Sequence, residues 1–255
     1  MSVLEEYKFN SVYELADLID KSVEYEVDFW NFNPDYFISA ATNFSKDTLL
    51  HLYIAVTAMN HYRREFRKNG DLIDEESINQ WYSLFNEHSI KINKFEFDNE
   101  NEIFDWFEEN ESKFKDLFDK MADEVFYILF SNRKFLLKLN NLIAETIKGS
   151  RLSEEFLSIP KTLLTNKGTI KRTAIPQWVK KAIFHRDKGR CVFCNTDLTG
   201  VVNTLTNVNY DHIVPLDLFG ANDPCNIQLT CERCNKTKKN KTGSTGLKYI
   251  PWWTK

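Results

Sequence analysis

The spacing of apolar residues in the first 150 positions predicts a series of α-helices. From Phe114 onward, apolar side chains recur at steps of three and four residues, which is the pattern of one helix face. These positions are Leu117, Phe118, Met121, Val125, Ile128 and Leu129, followed by Phe135, Leu136, Leu139, Leu142, Ile143 and Ile147. The polar pair Ser131–Asn132 interrupts the series and predicts a boundary between two helices.

Residues that cap helices or break them divide the rest of this region. Ser45 predicts the N-cap of a helix that ends near Lys68, and Asp74 predicts the cap of the next one. Between residues 150 and 175 the apolar period is lost, and Ser, Thr, Lys, Gly and Pro become frequent. This stretch is predicted to connect two parts of the chain, with a short helix near 154–157.

The pattern changes again in the last third of the chain. Pro176 suits the first turn of a short helix. Residues Val208–Val214 and Ile227–Thr230 read as two strands, and a further helix is predicted to begin within Glu232–Asn235. The order strand, strand, helix is therefore expected near the C-terminus.

Charge separates the same two parts. Residues 1–150 contain 16 Lys and Arg against 29 Asp and Glu, a net charge of −13, whereas residues 151–255 contain 17 against 8, a net charge of +9. A basic surface suits a polyanionic partner such as a nucleic acid, and an acidic one repels it. The C-terminal part is therefore predicted to hold the nucleic acid.

The sequence predicts a soluble, cytoplasmic protein. The longest apolar run, Leu49–Met59, contains His51 and Thr57 and is shorter than a membrane span requires. The N-terminal residues lack the basic region and apolar run of a secretory signal.

Two cysteine pairs predict a structural zinc site. The pairs Cys191/Cys194 and Cys231/Cys234 each have the C-x-x-C spacing, and four thiolates satisfy tetrahedral zinc. Without a signal peptide, such pairs favour metal over disulfide. The alternative is two unrelated reduced pairs. The fifth cysteine, Cys225, is predicted to be a small buried residue rather than a ligand.

An acid, a histidine and two asparagines accompany the cysteines. His212 has the intrinsic pKa of a general base, and Asp211 points to the other side of the predicted strand, where its carboxylate could hold a divalent cation. Asn235 opens the following helix and offers a second oxygen ligand. Oxygen ligands suit Mg²⁺ or Mn²⁺.

Each of these residues also has a structural interpretation. A single histidine in a strand is more often structural than catalytic, and Asn226 could cap a turn. Asp211 could pair with Lys236 or Lys238. Only their combination within one zinc-binding segment favours a catalytic site.

Three stretches, RDKGRCVFC, YDHIVPLDLFG and NIQLTCERCNKTK, resemble the HNH endonuclease family of the zinc-binding type. The resemblance implies a ββα-metal fold, with Asp211, His212, Asn226 and Asn235 as catalytic residues. It implies that the Asn226 amide orders the loop that orients His212. Many relatives have paired glycines in this loop where the chain has Ala221, which is expected to alter the approach of the DNA backbone.

With the resemblance, the fold class is predicted to be α+β. An N-terminal all-α domain at 1–150 precedes a connector at 151–172 and a small zinc-stabilised ββα-metal (HNH) domain at 173–255. The acidic domain is predicted to regulate, to bind a protein partner or to self-associate. If it covers the nuclease surface, residues 150–255 alone should cut DNA more freely than the whole chain.

The predicted function is a metal-dependent endonuclease that hydrolyses DNA, with structural Zn²⁺ and catalytic Mg²⁺ or Mn²⁺ held by Asp211 and Asn235. RNA is an open alternative substrate. Family members with an added helical domain suggest an effector of bacterial anti-phage defence. The alternatives are a zinc-stabilised nucleic-acid-binding module without cleavage and an effector that is active only with a partner.

Basic residues on both sides of the motif are predicted to contact phosphates. They are Lys180, Lys181, Arg186, Arg190, Lys236, Lys238 and Lys239. The alternative for such a group is an ordinary solvated face. The aromatic tail that begins at Tyr249 either stacks on bases or docks against protein.

Overall fold

A computed structural model describes residues 11–23, 34–96, 103–150, 159–201 and 207–249. The helix predicted near 154–157 and the tail beyond Tyr249 lie outside these ranges. The chain divides into two compact units, and each is described by itself. One comprises Met1–Ser22 and His51–Ile128, and the other comprises Val23–Leu50 and Leu129–Lys255.

The observed elements confirm the α+β prediction. In the described residues, helices α1 to α7 span Val12–Ser22, Pro34–Thr42, Leu49–Asn69, Glu75–Glu87, Ile103–Glu109, Glu111–Leu129 and Arg133–Gly149. The C-terminal elements are α8 (Gln177–Arg186), β1 (Val208–His212), β2 (Ile227–Cys231) and α9 (Glu232–Lys238). None of the described helices combines the length and apolar character that a membrane span requires.

A predicted helix cap and a predicted helix boundary are confirmed. The Asp74 carboxylate accepts a hydrogen bond of 2.9 Å from the backbone N–H of Ser77 at the start of α4. Asn132 accepts one of 3.1 Å from the N–H of Phe135, so it starts α7 and separates it from α6. Both side chains satisfy donors that a helix N-terminus leaves unpaired.

Helix α3 begins at Leu49, later than the predicted cap at Ser45. Thr48 Oγ1 accepts from the N–H of Leu50 at 3.2 Å, and the carboxylate of Asp223 accepts from the N–H of Leu49 at 2.8 Å. A residue 174 positions away in the sequence therefore completes this helix start.

In the first unit, the part of α3 from His51 onward and helices α4 to α6 enclose an aromatic core. Phe66, Trp81, Trp106 and Phe114 lie with ring centroids 5.3 to 6.1 Å apart in the pairs that contact one another. Aromatic packing of this kind stabilises a core beyond simple area burial. The side chains with predicted chemistry lie in the other unit.

In the second unit, a short antiparallel sheet forms the base of the predicted site. Strand β1 pairs with β2 so that Asp211 lies opposite Gln228 and His212 opposite Ile227. Strand β2 is buried along its whole length. The core beneath the sheet contains Val179, Ile183, Leu198, Ile227 and Leu229, together with Cys191 and Cys231.

This unit reaches further toward the N-terminus than the predicted nuclease domain. Asn140 on α7 donates 3.0 Å to the carbonyl of Cys225. Segments before residue 151 thus belong to the same compact body as β1, β2 and α9. The boundaries 1–150, 151–172 and 173–255 remain a prediction about how function is divided.

Candidate functional site

The four paired cysteines converge on one point. The sulfur atoms of Cys191, Cys194, Cys231 and Cys234 all lie within 4.8 Å of one another. The Cys194 and Cys231 sulfurs are 3.6 Å apart. Tetrahedral zinc with bonds of about 2.3 Å requires sulfurs about 3.8 Å apart. The cluster therefore fits structural zinc. Cys225 lies outside it and is fully buried, as predicted.

The first cysteine turn is shaped by the residues that follow it. Asn195 adopts a left-handed conformation with φ of 61° and donates its N–H to the carbonyl of Cys191 at 2.8 Å. Thr196 Oγ1 lies 3.0 Å from the Cys194 sulfur. Burial raises the pKa of Cys194, but hydrogen bonds from Thr196 and neighbouring thiols outweigh it and lower the pKa to about 6. A thiolate is the form that binds zinc.

The second turn begins helix α9. The sulfur of Cys231 caps this helix by accepting from the N–H of Cys234 at 3.5 Å. Because Cys231 also ends β2, one residue joins the sheet, the metal site and the helix. The zinc site therefore fixes the direction in which α9 leaves the sheet.

Helix α7 and the C-terminal segment hold the first turn in place. The Arg133 guanidinium donates to the carbonyls of Val192 at 3.1 Å and Gly246 at 2.9 Å. A side chain at position 246 would lie 1.7 Å from the Val192 carbonyl oxygen, so only glycine fits there. Tyr249 stacks on the Arg133 guanidinium at 4.1 Å and accepts from its backbone N–H. The tail was predicted either to stack on bases or to dock against protein, and Tyr249, the first residue of the tail, docks against protein.

Asp211 is paired with a buried ammonium. Its Oδ2 accepts from Lys238 Nζ and from Gln228 Nε2, both at 3.0 Å. Lys238 also donates 2.6 Å to the carbonyl of His212, and its side chain is only 4% exposed. Of the two lysines considered as partners for Asp211, Lys238 is the one that pairs. Lys236 pairs instead with Glu232 on the exposed side of α9.

His212 ends β1 and is 1% exposed. Its Nε2 lies 3.4 Å from Asn222 Oδ1. Its Nδ1 is buried, and among the described residues it has no hydrogen-bond partner. Burial lowers the pKa of His212 to about 4, helped by the charges of Arg172 and Lys238 and opposed by the Asn222 contact. The imidazole is therefore neutral at pH 7, which is the state that a general base needs.

Asn226 closes the loop between the strands. Its Oδ1 accepts from the N–H of Val214 at 2.8 Å. Its Nδ2 donates to the carbonyls of Val214 at 3.0 Å and Ala221 at 2.9 Å. All three contacts are buried, so this one amide sets the loop that follows His212. A catalytic role for Asn226 remains a prediction.

Two small residues allow this loop to fold so tightly. A side chain at Gly220 would lie 2.0 Å from the Val214 carbonyl oxygen, so the backbone can pass there only as glycine. Ala221 is fully buried. Ala221 thus lies inside the loop and not on the surface that was predicted to meet DNA.

Asn235, the second predicted oxygen ligand, is half-buried in α9. It precedes Lys238 by three residues, and side chains three apart lie on the same helix face. Lys238 reaches Asp211 and the His212 carbonyl from that face. The spacing therefore places Asn235 on the face of α9 that carries Lys238, and its role as a metal ligand remains a prediction.

The predicted phosphate contacts divide into exposed and buried residues. Lys181, Arg190, Lys236 and Lys239 are exposed, and Lys180 is half-buried beside Tyr210. The prediction does not fit Arg186 and Lys238, whose side chains are 2% and 4% exposed. Arg186 is paired with Asp187 at 2.9 Å and donates to the Ile227 carbonyl. Neither cation faces solvent, because each neutralises a carboxylate within the fold.

The sequence did not indicate Asn222 as part of the site. Asn222 contacts His212, yet a single asparagine in a loop carries no recognisable signal. Its position four residues before Asn226 gains meaning only once the loop is folded.

Comparison with protein families supports this site. Residues 191–241 match the model of the HNH endonuclease family, which confirms the resemblance for that segment. No curated protein and no solved structure matches the chain. The match, the two strands with a helix and the four-cysteine cluster together define a zinc-type HNH segment. This supports a nuclease-type function and binding to nucleic acid.

Proposed function

We propose that the protein is a metal-dependent endonuclease that hydrolyses phosphodiester bonds in DNA. One observation carries the proposal. His212 is neutral, its buried Nδ1 has no hydrogen-bond partner in the part of the chain that the structure describes, and it follows Asp211 directly within the segment that matches the HNH family. A base with a free lone pair beside an acid is the minimum that water activation requires.

The residues of the site divide the reaction between them. His212 Nδ1 takes the proton of the attacking water, while Asn226 holds the loop behind it. Among the described residues, Asp211 accepts hydrogen bonds only at Oδ2, so Oδ1 and the Asn235 amide oxygen are the atoms that would hold Mg²⁺ or Mn²⁺. When bound, such a cation polarises the phosphate and neutralises the charge of the leaving oxygen.

The exposed basic residues would carry the DNA backbone. Lys181, Arg190 and Lys239 are exposed, and neutralising phosphates with such residues makes affinity fall as salt rises. The acidic N-terminal half repels DNA and suits a protein partner or self-association. We extend the proposal to an effector of anti-phage defence that acts in the cytoplasm.

Cleavage of supercoiled plasmid tests the function directly. Wild type and His212→Ala are compared with Mg²⁺, with Mn²⁺ and with neither, after zinc content and circular dichroism show that both are folded. Cutting by wild type alone, and only with the added cation, is the expected result. Equal cutting by His212→Ala would contradict the assignment of His212 as the general base.

The pair between Lys238 and Asp211 favours a second candidate. The buried ammonium already neutralises the carboxylate at 3.0 Å, as expected of a zinc-stabilised module that binds nucleic acid without cutting it. That function predicts a gel-shift affinity for DNA that is the same with and without Mg²⁺ and unchanged by His212→Ala. A Mg²⁺-dependent affinity, or any cleavage, would exclude it.

A further inference from the structure

We propose that Asn222 is a positioning residue that fixes the tautomer and the orientation of His212, and that helix α2 holds Asn222 in place for this task. The inference rests on the proposed function only for the role of His212 as a base. The geometry of Asn222 itself stands apart from any activity.

The orientation of the Asn222 amide follows from its partners. Its Nδ2 lies 3.1 Å from the carbonyl oxygen of Thr42 and 2.8 Å from that of Lys171. Carbonyl oxygens only accept hydrogen bonds, so both must face the NH₂ end of the amide. Asn222 Oδ1 is therefore turned toward His212, and no flipped arrangement satisfies the same contacts.

This orientation selects the tautomer of His212. Oδ1 is only an acceptor, so His212 Nε2 carries the proton and donates it over 3.4 Å. A neutral imidazole has one N–H, which leaves the lone pair on Nδ1. That atom is buried, and none of the described residues offers it a hydrogen bond. The contact is longer than the usual length of about 2.9–3.0 Å, so it orients the ring more than it stabilises it.

The support for Asn222 comes from the acidic half of the chain. Helix α2 ends at Thr42, and the backbone N–H of Asn222 also donates to the carbonyl of Ala41 at 2.9 Å. The base is thus oriented through a residue that two consecutive carbonyls of α2 hold from 180 positions away. Withdrawal of the end of α2 would leave the carbonyl of Lys171 as the remaining hydrogen-bond acceptor described for the Asn222 side chain, and the orientation of His212 would be less tightly set.

Nitrogen-15 NMR of the histidine side chains tests the proposal in the full chain. Spectra at pH 7 are recorded for wild type, Asn222→Ala and Asn140→Ala, with His212→Gln used to assign the signal. Asn140 is the matched control, because it is a buried amide of the same unit that bonds to Leu136 and Cys225 instead of His212. We expect the Nε2–H tautomer in wild type and Asn140→Ala, and a mixture with Nδ1–H in Asn222→Ala.

Two outcomes would overturn the proposal. One is an Nδ1–H tautomer in wild type, and the other is a folded Asn222→Ala that keeps the wild-type tautomer. If Asn222→Ala does not fold, the wild-type chain decides. The two side-chain protons of Asn222 should then exchange slowly with solvent, because carbonyls hold both of them, and rapid exchange of either would refute the arrangement.

Activity provides a separate measurement. Where wild type cuts plasmid, Asn222→Ala should cut roughly ten- to a hundred-fold more slowly, since a positioned base contributes about 10²–10⁴. Asn140→Ala should stay within about three-fold of wild type when both are assayed well below their melting temperatures. Absence of cutting by wild type would contradict the proposed function. The tautomer measurement would still decide the role of Asn222.

Discussion

Removing Asp187 should destabilise the unit that holds the site by about 4 kcal/mol. Asp187 accepts from Arg186 Nε at 3.0 Å and Nη2 at 2.9 Å, and both side chains are 2% exposed. Breaking a buried pair on one side typically costs about 3–5 kcal/mol, because it leaves a buried charge without its partner. Asp187 also accepts from the backbone N–H of Leu229 at 2.9 Å, so Asp187→Ala leaves a strand donor unpaired as well.

Equilibrium urea unfolding at pH 7 with zinc present measures this loss. Lys181→Ala on the same helix is the control and should change the free energy of unfolding by less than about 0.5 kcal/mol, because Lys181 is exposed. The double variant Arg186→Met with Asp187→Leu should be markedly more stable than Asp187→Ala, because it removes both buried charges.

The same variants separate a structural Arg186 from a DNA contact. A structural role predicts that Arg186→Met lowers stability and leaves the salt dependence of DNA binding unchanged. The reasoning is refuted if Asp187→Ala loses less than about 1 kcal/mol. It is equally refuted if Arg186→Met weakens DNA binding while the free energy of unfolding stays at the wild-type value.

Three further predictions concern zinc, pH and the N-terminal segments. Metal analysis should find one zinc per chain in wild type and in Cys225→Ser but none in Cys231→Ser; equal zinc in both variants would contradict the four-cysteine site. Burial raises the pKa of Asp223 to about 6, so its contribution to stability is complete below about pH 4 and is lost as the pH rises through 6, by about 3 kcal/mol in total. Denaturant unfolding at pH 4.5 and 7.5 should show about 2 kcal/mol of this loss in wild type relative to Asp223→Asn, because about 1 kcal/mol is already lost at pH 4.5. A constant difference between the two proteins would contradict it. Residues 150–255 alone should cut DNA less than the whole chain, because they lack α7 and the Leu49 N–H that binds Asp223; faster cutting in the plasmid assay would support masking instead.

The slower cutting expected of residues 150–255 reverses what the sequence suggested, and the reason is physical. Net charge distinguishes 1–150 from 151–255, so the two parts looked like a cover and a nuclease. The net charge of a segment reflects mainly its surface residues. The compact unit is instead defined by buried contacts such as those of Asn140 and Arg133. Such contacts join distant parts of the chain and leave no local pattern.

Features encoded by short spacing could be predicted. The two C-x-x-C pairs, the Asp211–His212 pair, the cap at Asp74 and the helix boundary at Asn132 each depend on residues within a few positions of one another, and the structure has them where the spacing indicates. The catalytic roles of the site residues remain predictions, since geometry shows what they contact and not what they do.

Features set by distant partners could not be predicted. Arg186 looks like any other basic residue of the segment, and its buried position beneath the Ile227 carbonyl, 41 positions away, shows only in the fold. For Asp211 the sequence offered two lysines as partners, and the fold selects Lys238. Asn222 could not be predicted for the same reason, because its partners Thr42 and Lys171 lie 180 and 51 positions away. A sequence motif records the reacting groups better than it records the groups that support them.

The distance between Thr42 and Asn222 has a consequence for how the protein is made. Domains generally fold from the N-terminus as synthesis proceeds, and contacts between distant residues form last. Thr42 is therefore translated long before Asn222, and His212 receives its orienting partner only after the 180 positions that separate those two residues have been translated. A partly synthesised chain that lacks Asn222 lacks the contact that orients the proposed base, so the proposed site is complete only after both ends of that contact have been made.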